Sequence, residues 1–503
     1  MVNCTETESS FPNVDFRLPK HIVFSTVGGG SSHNVWVLEI LKELHSRNHT
    51  VSYFSRGDHL RFAKDYPMIN TYELGGPHDF AKHEIVQKTL GNHLDPMILP
   101  LAAVESTISN YTEEFYHAQR LSKELEVDMF ICDSFAVACI DAAITLKKPV
   151  MITSTCGIYA DLETPHINNR LYVGPNPTTA NEGVWQRIYR DYIRAPLQIR
   201  AIRRRLPQTV QTQRDAGFSF TWDGSSPRYN DLSKMIHNVF GIEIAKSLTP
   251  LNHHVGPILR SNYPDLDNVT QRFLDSHQRV VYVGFGQHAP TTEQDIQLIM
   301  PSLLKLKKDG HIDGIIWARL SYKKHPDILT PFWAPQFAIL QHPSTRFFIS
   351  HGGAGSLIES LYNGVRLMVY PFFGDQPTNA RNVKIHGLGD YFDLHDDHPD
   401  MFYERLLNVA TDPKGEIQNK VNRYKAYVQI SSINGASKAA DLIEENVFAC
   451  DEEGKLTYRR DVKYDISFIK RHDLDIYFWV TLPCALLYVL YCRTSSLKRL
   501  KTE

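Results

Sequence analysis

A glycine-rich turn between a buried strand and a helix constrains the fold of this chain more than any other stretch. The run Arg346–Ser350 (RFFIS) is typical of a buried strand, and residues 351–356 (HGGAGS) form a tight turn before a helix. Gly364 then suits a left-handed cap that ends this helix. A strand that leads into a helix in this way is a unit of a parallel α/β sheet. The free N–H groups and the dipole at the helix start favour a bound pyrophosphate.

A similar unit opens the N-terminal half. The strand His21–Val27 precedes a turn at residues 28–33 (GGGSSH), and a helix follows whose apolar residues recur at i, i+3, i+4 and i+7 from Val37. A second strand is expected at Thr50–Phe54. Further buried strands are predicted at Val127–Ser134, Lys148–Thr155, Arg279–Gly286, Gly314–Ala318 and Arg366–Pro371. The pattern therefore predicts two α/β units in tandem.

The first glycine turn does not match a dinucleotide-binding fingerprint. His33 occupies the position where G-x-G-x-x-G requires its third glycine. Ser55 ends the second strand, where an acidic residue would hold an adenosine ribose. A dinucleotide-dependent dehydrogenase is thus the weaker interpretation.

Composition narrows the class of protein. The 503 residues include 54 Lys and Arg against 56 Asp and Glu, and 42% of residues are hydrophobic. This balance excludes a mainly disordered chain and argues against an obligate nucleic-acid binder. Seven cysteines without a C-x-x-C pair indicate neither a disulfide scaffold nor a zinc ribbon, and no cluster has metal-ligand spacing.

The C-terminal region predicts a membrane anchor. Residues 476–492 carry no charge, although Pro483 lies in the middle of this run. Seventeen residues are the short limit for a span, and a buried helix is the alternative. Basic residues on both sides leave the orientation open. Four Asn-x-Thr triplets suit a lumenal catalytic part, whereas the polar first twenty residues, which lack the features of a secretory signal, oppose it.

A second segment also raises the question of membrane contact. Residues 194–205 alternate basic and apolar side chains. They suit either a solvated helix face or contact with anionic lipid.

The residues from Trp333 to Asn382 form an ordered set of motifs. They contain W-x-P-Q, H-G-G-x-x-S-x-x-E and D-Q-x-x-N elements, in that order. This set closely resembles the donor-binding signature of the UDP-glycosyltransferase family. The resemblance implies a GT-B architecture, an α/β fold of two Rossmann-like domains facing a cleft.

The resemblance also implies roles for the donor-binding residues. Trp333 would stack on uracil with Gln336 nearby, and Glu359 would bind the ribose. The diphosphate would be held by His351, Gly353 and Ser356, and the transferred sugar by Asp375 and Gln376. The UDP-sugar is a co-substrate, so no cofactor and no metal are expected.

The N-terminal half resembles the family at two further positions. His33 looks like the catalytic histidine that takes a proton from the acceptor hydroxyl, and Asp133 like its carboxylate partner. One departure lies at residues 284–287 (GFGQ), where family members often have a final serine that approaches the phosphates. A phosphate role is therefore not carried over to Gln287.

The predicted function is inverting transfer of a hexosyl group from a UDP-sugar to a hydroxyl of a lipophilic small molecule. The alternatives are a sterol or lipid glycosyltransferase of membrane metabolism and a non-catalytic UDP-sugar-binding protein. The expected location is the endoplasmic-reticulum membrane, crossed once, with the side left open. The sugar, the acceptor and the oligomeric state are not readable from the sequence.

The chain is predicted to divide into six parts. These are a polar N-terminal segment (1–20), an acceptor-binding domain (21–252), a linker (253–278), a UDP-sugar-binding domain with closing helices (279–447), a transmembrane anchor (476–492) and a basic tail (493–503).

Overall fold

The computed structural model describes most of the chain. It covers residues 15–76, 104–105, 107–162, 164, 166–168, 178–287, 289, 291–320, 325–393 and 397–499, the last six of these by backbone alone. Most of the polar N-terminal segment and the end of the basic tail lie outside the described residues.

Seven parallel strands form the first sheet, in the order β3-β2-β1-β4-β5-β6-β7. The central strands are almost entirely buried because helices cover both faces of the sheet. The strands are β1 (His21–Thr26), β2 (Thr50–Arg56), β3 (Asn70–Gly75), β4 (Met129–Asp133), β5 (Val150–Ser154), β6 (Ser233–Ile236) and β7 (Asn252–His254).

Six parallel strands form the second sheet, in the order β10-β9-β8-β11-β12-β13. It has its own buried core on each face. The strands are β8 (Val280–Gly284), β9 (Gly314–Trp317), β10 (Ile328–Leu329), β11 (Thr345–Ser350), β12 (Arg366–Val369) and β13 (Gly389–Tyr391).

Helices connect and cover the strands. In the first half they are α1 (Ser31–Ser46), α2 (Tyr111–Glu124), α3 (Val137–Thr145), α4 (Val184–Ile188), α5 (Ala195–Arg205) and α6 (Pro207–Asp215), and a π-helical stretch (Tyr189–Arg194) joins α4 to α5. Next come α7 (Asn268–Ser276), α8 (Glu293–Lys308), α9 (Gln336–Gln341), α10 (Ala354–Asn363) and α11 (Gln376–Ile385). The last are α12 (Met401–Thr411), α13 (Glu416–Ser432), α14 (Gly435–Ala449), α15 (Phe468–Arg471) and α16 (Leu474–Arg499).

Strand order reverses direction at the centre of each sheet. β1 pairs with both β2 and β4, and β8 pairs with both β9 and β11. Ligands of open parallel sheets bind beyond the carboxyl ends of the strands at such a switch point. The glycine turns predicted from the sequence follow β1 and β11, so the fold places both at a switch point.

The last helix of the globular part crosses back to the first sheet. Ala439, Ala440 and Ile443 of α14 pack in the core beneath α1 and β1. Glu444 on the same helix accepts hydrogen bonds from Arg17 and Arg47. The C-terminal region therefore ties the two sheets together.

The C-terminal helix α16 projects from the globular part. Its stretch Leu474–Arg493 is long and apolar enough to cross a membrane, and none of it is buried. Length and composition alone support this, so it is weak evidence for a span. A buried C-terminal helix, the alternative raised by the sequence, is not what the structure shows.

Candidate active site

His33 and Asp133 form a hydrogen-bonded pair at the edge of the first sheet. His33 is the third residue of α1, and Asp133 is the last residue of β4. The His33 Nδ1–H donates to Asp133 Oδ2 at 2.9 Å. Phe135 N donates to the other carboxylate oxygen at 3.0 Å, which fixes the orientation of Asp133. The other ring nitrogen of His33, Nε2, is thereby left unprotonated in the neutral ring and can accept a proton.

The environment of His33 sets its pKa. Burial favours the neutral ring and by itself lowers this pKa, but the charge and the hydrogen bond of Asp133 and the charge of Asp375 outweigh it. The net result is a pKa raised above 6.5. A histidine with such a pKa can both accept and release a proton near neutral pH.

A disulfide lies directly beside this pair. Cys132 on β4 is bonded to Cys139 on α3, and both side chains are buried. The bond closes the turn that carries Asp133. The sequence indicated no disulfide scaffold, and this single bridge is a local clamp of one turn.

The second glycine turn is built for close approach to a ligand. Gly352 has a φ of +87°, which side-chain-bearing residues rarely adopt. A Cβ atom on Gly353 would lie 2.5 Å from His351 Nε2, and one on Gly286 would lie 2.9 Å from the same atom. The imidazole of His351 is therefore held between the turns that follow β8 and β11, next to the N-terminus of α10.

A polar network lies one turn farther along α10. Gln336 Nε2 at the start of α9 donates to Ser356 Oγ at 3.1 Å and to Glu359 Oε2 at 2.8 Å. Tyr263 adds a hydrogen bond to the Glu359 carboxylate and stacks on Phe337 with 3.8 Å between ring centroids. The fold thus brings the predicted residues Gln336, Ser356 and Glu359 together.

Burial raises the pKa of Glu359, although Gln336, the charge of Arg260 and Tyr263 act in the opposite direction. A carboxylate in this setting needs further donors to be fully satisfied. The two hydroxyls of a ribose are such donors.

Asp375 lies at the start of α11, where the chain leaves β12. Its carboxylate accepts a hydrogen bond from Asn379 Nδ2 at 2.7 Å, and the same nitrogen donates to Gly352 O at 2.9 Å. Burial raises the pKa of Asp375, against the smaller opposing effects of Asn379 and His33. Asn379 therefore joins Asp375 to the glycine turn.

Gln376 is buried, and its side-chain oxygen accepts hydrogen bonds from the backbone N–H groups of Phe372 and Phe373. This oxygen supports the turn before α11, so only the side-chain nitrogen can contact a sugar hydroxyl.

Trp333, a predicted donor contact, lies in the loop before α9, and Gln287 lies in the turn after β8. Trp333 is 62% exposed in the loop before α9, where its ring can stack on a planar ligand. The backbone oxygens of Gly286 and Gln287 accept hydrogen bonds from Arg319, which holds the turn after β8.

The two halves of the site face each other across a cleft. A Cβ atom on Gly355 in α10 would lie 3.5 Å from Ser32 Cβ in α1. Asp375 on the second sheet acts electrostatically on His33 on the first. The base candidate and the sugar-binding candidate therefore border the same space.

Sequence reasoning missed several residues of this site. Arg260 and Tyr263 come from the predicted linker, and nothing in their sequence context signals contact with Glu359. Asn379 had a signal, because it is the last residue of D-Q-x-x-N and lies four positions from Asp375 on one helix face. Among the described residues, no group of three or more His, Cys, Asp and Glu side chains could hold a metal ion.

Comparison with known proteins finds related sequences. Residues 229–409 match the family model described as UDP-glucoronosyl and UDP-glucosyl transferase. A UDP-glycosyltransferase of Talaromyces amestolkiae is 23% identical over 88% of this chain and 90% of its own length. UDP-glycosyltransferase 1 of Phaeomoniella chlamydospora is 30% identical over 57% of this chain and 61% of its own length.

Solved structures show the same fold. The kitacinnamycin glycotransferase has a TM-score of 0.61 at 18% identity and covers 85% of this chain and 99% of its own. A Medicago truncatula glycosyltransferase complexed with UDP-glucose has a TM-score of 0.57 at 18% identity, with 85% and 98% covered. The predicted GT-B fold is confirmed.

The fold and the family match define a glycosyltransferase that uses a nucleotide-activated sugar. The chain belongs to the UDP-glycosyltransferase family, as its motifs predicted. It is a UDP-glycosyltransferase enzyme.

Proposed function

We propose that this enzyme transfers a hexosyl group from a UDP-sugar to a hydroxyl of a lipophilic small molecule, with inversion at the anomeric carbon. The observation that carries this proposal is the His33–Asp133 pair, which borders the cleft opposite Asp375. A proton acceptor lies on one wall of the cleft and a sugar-binding carboxylate on the other. This arrangement suits attack by an acceptor hydroxyl on a sugar held between them.

The reaction follows from the positions of these groups. His33 Nε2 takes the proton of the acceptor hydroxyl as its oxygen bonds to the anomeric carbon. The bond from that carbon to the UDP oxygen breaks, and UDP leaves with the electron pair. Attack from the face opposite UDP inverts the anomeric carbon. Asp133 fixes the tautomer of His33 and stabilises the imidazolium that forms.

The donor side of the cleft supplies the remaining contacts in this proposal. Trp333 stacks on uracil with Gln336 nearby, and Glu359 binds the ribose hydroxyls. The diphosphate is held by the N-terminus of α10 with His351, Gly353 and Ser356, and the sugar by Asp375 and Gln376. The helix dipole and these donors stabilise the charge that develops on the leaving UDP.

Acceptor binding and donor binding are assigned to the two domains that the sequence predicts. We assign acceptor binding to residues 21–252 and UDP-sugar binding to residues 279–447, with residues 253–278 between them. The positions of the base on the first sheet and of the donor motifs on the second support this assignment.

Membrane association is part of the proposal. α16 presents an unburied apolar stretch, Leu474–Arg493, and we assign it as a single anchor in the endoplasmic-reticulum membrane. A lipophilic acceptor that partitions into the bilayer would reach an enzyme held there. The unburied apolar stretch of α16 also favours the second candidate function, transfer to a sterol or lipid acceptor.

Replacement of the base tests the proposal. For His33→Ala we expect UDP release with a UDP-sugar and a hydroxyl acceptor panel to fall by about 10²–10⁴-fold. UDP binding, measured by calorimetry, should persist because the donor residues are unchanged. His398→Ala is the matched control, since this histidine is exposed and remote from the site motifs. Full turnover by His33→Ala would contradict the assignment, and a wild-type protein that binds UDP-sugars but transfers none would support the non-catalytic alternative.

A further inference from the structure

A cavity beside Asp375 is not explained by the donor motifs. Residues of both halves of the chain line it. Asp375 directly precedes α11 and Asn382 lies in it, while Asn238, Glu243 and Lys246 come from the segment between β6 and β7. The lining includes the amide and carboxylate side chains of these residues.

Two acceptor atoms in this lining are buried and unused. Asn382 is 2% exposed, and its Nδ2 donates to Ile242 O at 2.9 Å, which identifies the other amide atom as the oxygen. Among the described residues, none donates a hydrogen bond to Asn382 Oδ1. Buried polar atoms of this kind normally have a partner, so a ligand that supplies donors is expected here.

Glu243 provides the second unused acceptor. Its Oε1 accepts a hydrogen bond from Gly157 N at 2.7 Å and lies 3.3 Å from Lys246 Nζ. Its buried Oε2 has no hydrogen-bond partner within the part of the chain that the structure describes. The lone pairs of Oε2 are thus available to a donor in the cavity.

The position of these acceptors relates them to the transferred sugar. Asp375, Asn379 and Asn382 are spaced i, i+4 and i+7, so they lie on one face of α11. Asp375 itself is electrostatically coupled to His33. Because the cavity adjoins Asp375, a sugar held at Asp375 can extend toward Asn382 and Glu243.

The charge of the cavity limits which sugar fits. Its described lining carries the carboxylates of Asp375 and Glu243 against the single ammonium of Lys246. Lys246 already donates to Gly157 O at 2.7 Å and pairs with Glu243. A carboxylate on the sugar would meet acceptors and negative charge there, whereas hydroxyls would meet acceptors that need donors.

We propose that Glu243 and Asn382 bind hydroxyl groups of the transferred sugar and that this pocket selects neutral UDP-hexoses over UDP-uronates. The inference rests on the proposed function, because it assumes that the group beside Asp375 is the donor sugar.

The first experiment compares donors on the full-length protein. UDP-glucose, UDP-galactose, UDP-N-acetylglucosamine and UDP-glucuronate are tested by UDP release, and their affinities by displacement of bound UDP. We expect the best neutral donor to exceed UDP-glucuronate by about tenfold or more in both measurements, the size of one hydrogen bond to a charged group. Equal or better binding of UDP-glucuronate overturns the proposal.

The second experiment uses variants of the two residues. Glu243→Gln and Asn382→Ala should raise the KM for the neutral UDP-hexose by about tenfold. Glu243→Gln should also narrow the gap to UDP-glucuronate, because it removes one negative charge. The affinity for UDP alone should stay constant, which separates loss of a sugar contact from loss of folding. Glu293→Gln makes the same change at an exposed position on α8 and should alter none of these values.

Two further outcomes separate the role of the pocket from the proposed function. A change confined to the acceptor KM would assign the cavity to the acceptor and overturn the inference, while transfer itself still stood. If no sugar were transferred, the proposed function would fail, and the displacement titration with neutral and acidic UDP-sugars would still decide the pocket's preference.

Discussion

The Nδ1 atom of His33 lies 2.9 Å from Asp133 Oδ2, and this contact joins the first helix of the chain to the fourth strand of its sheet. The side chain of Asp133 is 1% exposed, so its charge acts on His33 with little screening by water. The same contact fixes the tautomer and raises the pKa of the ring. Tautomer and pKa can therefore be tested together.

Activity should fall at low pH as His33 becomes protonated. The base must be neutral, and its pKa is raised above 6.5, so the acidic limb of the kcat/KM profile should have its midpoint above pH 6.5. In Asp133→Asn the carboxylate is gone while burial, which lowers the pKa of His33, remains. The midpoint should move to lower pH, and the plateau should fall because the tautomer is no longer fixed. A profile of Asp133→Asn with an unchanged midpoint would contradict the coupling.

Donor affinity should depend on Glu359 and, less strongly, on Tyr263. Glu359→Gln keeps the size of the side chain but removes its charge, so the affinity for UDP should drop by about tenfold or more. Tyr263→Phe keeps the stacking on Phe337 and removes only the hydroxyl that bonds Glu359, so a loss of a few-fold is expected. Calorimetry with UDP and with the uracil base alone separates these effects, because the base should bind all three proteins equally.

Most strands that the sequence predicted are largely buried and contain a run of apolar residues. β1, β4 and β11 each have at least three consecutive apolar residues, because both faces of their sheets are covered. The missed strands are short or lie at the sheet edges, as do β3 and β13. Their residues are partly exposed and polar, so tertiary pairing decides their conformation.

Some of the spatial relationships between the site residues could be predicted from the sequence, and others could not. Ser356 and Glu359 could be related from sequence because helix geometry fixes the distance between them. Glu243 and Asn382 could not, because they come from different halves and meet only when the cleft forms. The disulfide between Cys132 and Cys139 has a similar cause, since the turn from β4 into α3 brings the two residues together.

The Cys132–Cys139 disulfide should support both stability and the site. We expect the Cys132→Ala, Cys139→Ala double variant to unfold at a lower temperature, because a native disulfide typically contributes about 2–4 kcal/mol. Its kcat should also fall, since Asp133 follows Cys132 directly in the clamped turn. Dithiothreitol should lower the midpoint of the wild type and leave the double variant unchanged. An equal shift in both proteins would contradict a role for this bond.

The disulfide also favours a lumenal position for the globular part, since disulfides persist in oxidising compartments. Asn48 and Asn268 are exposed and each begins an Asn-x-Thr triplet. We therefore expect protein from microsomes to shift in mass on endoglycosidase treatment, and the Asn48→Gln, Asn268→Gln variant to shift less. Complete digestion of the globular part by protease added outside sealed microsomes would place it on the cytosolic side instead.

Helices α4 and α5 with the π-helical stretch should bind anionic membranes. Trp185, Tyr189 and Tyr192 are spaced i, i+4 and i+7, and Trp185 and Tyr192 are 80% and 78% exposed. Exposed arginines follow at positions 200, 203 and 204. Exposed aromatic rings beside arginines are typical of helices that lie in a membrane interface.

Vesicle flotation of a chain that ends before α16 measures this binding without the anchor. No side chain that the structure describes in α16 belongs to the buried cores, so the shortened chain should fold. It should float with phosphatidylserine-containing vesicles and less with phosphatidylcholine vesicles. Replacing the three arginines with glutamine should weaken binding by roughly 100-fold, because each contributes about 1 kcal/mol near an anionic surface. Trp185→Ser should weaken it as well, whereas Tyr116→Ser, which removes a ring that is 57% exposed on α2, should not. Equal flotation with both kinds of vesicle would indicate that the arginines form only a solvated helix face.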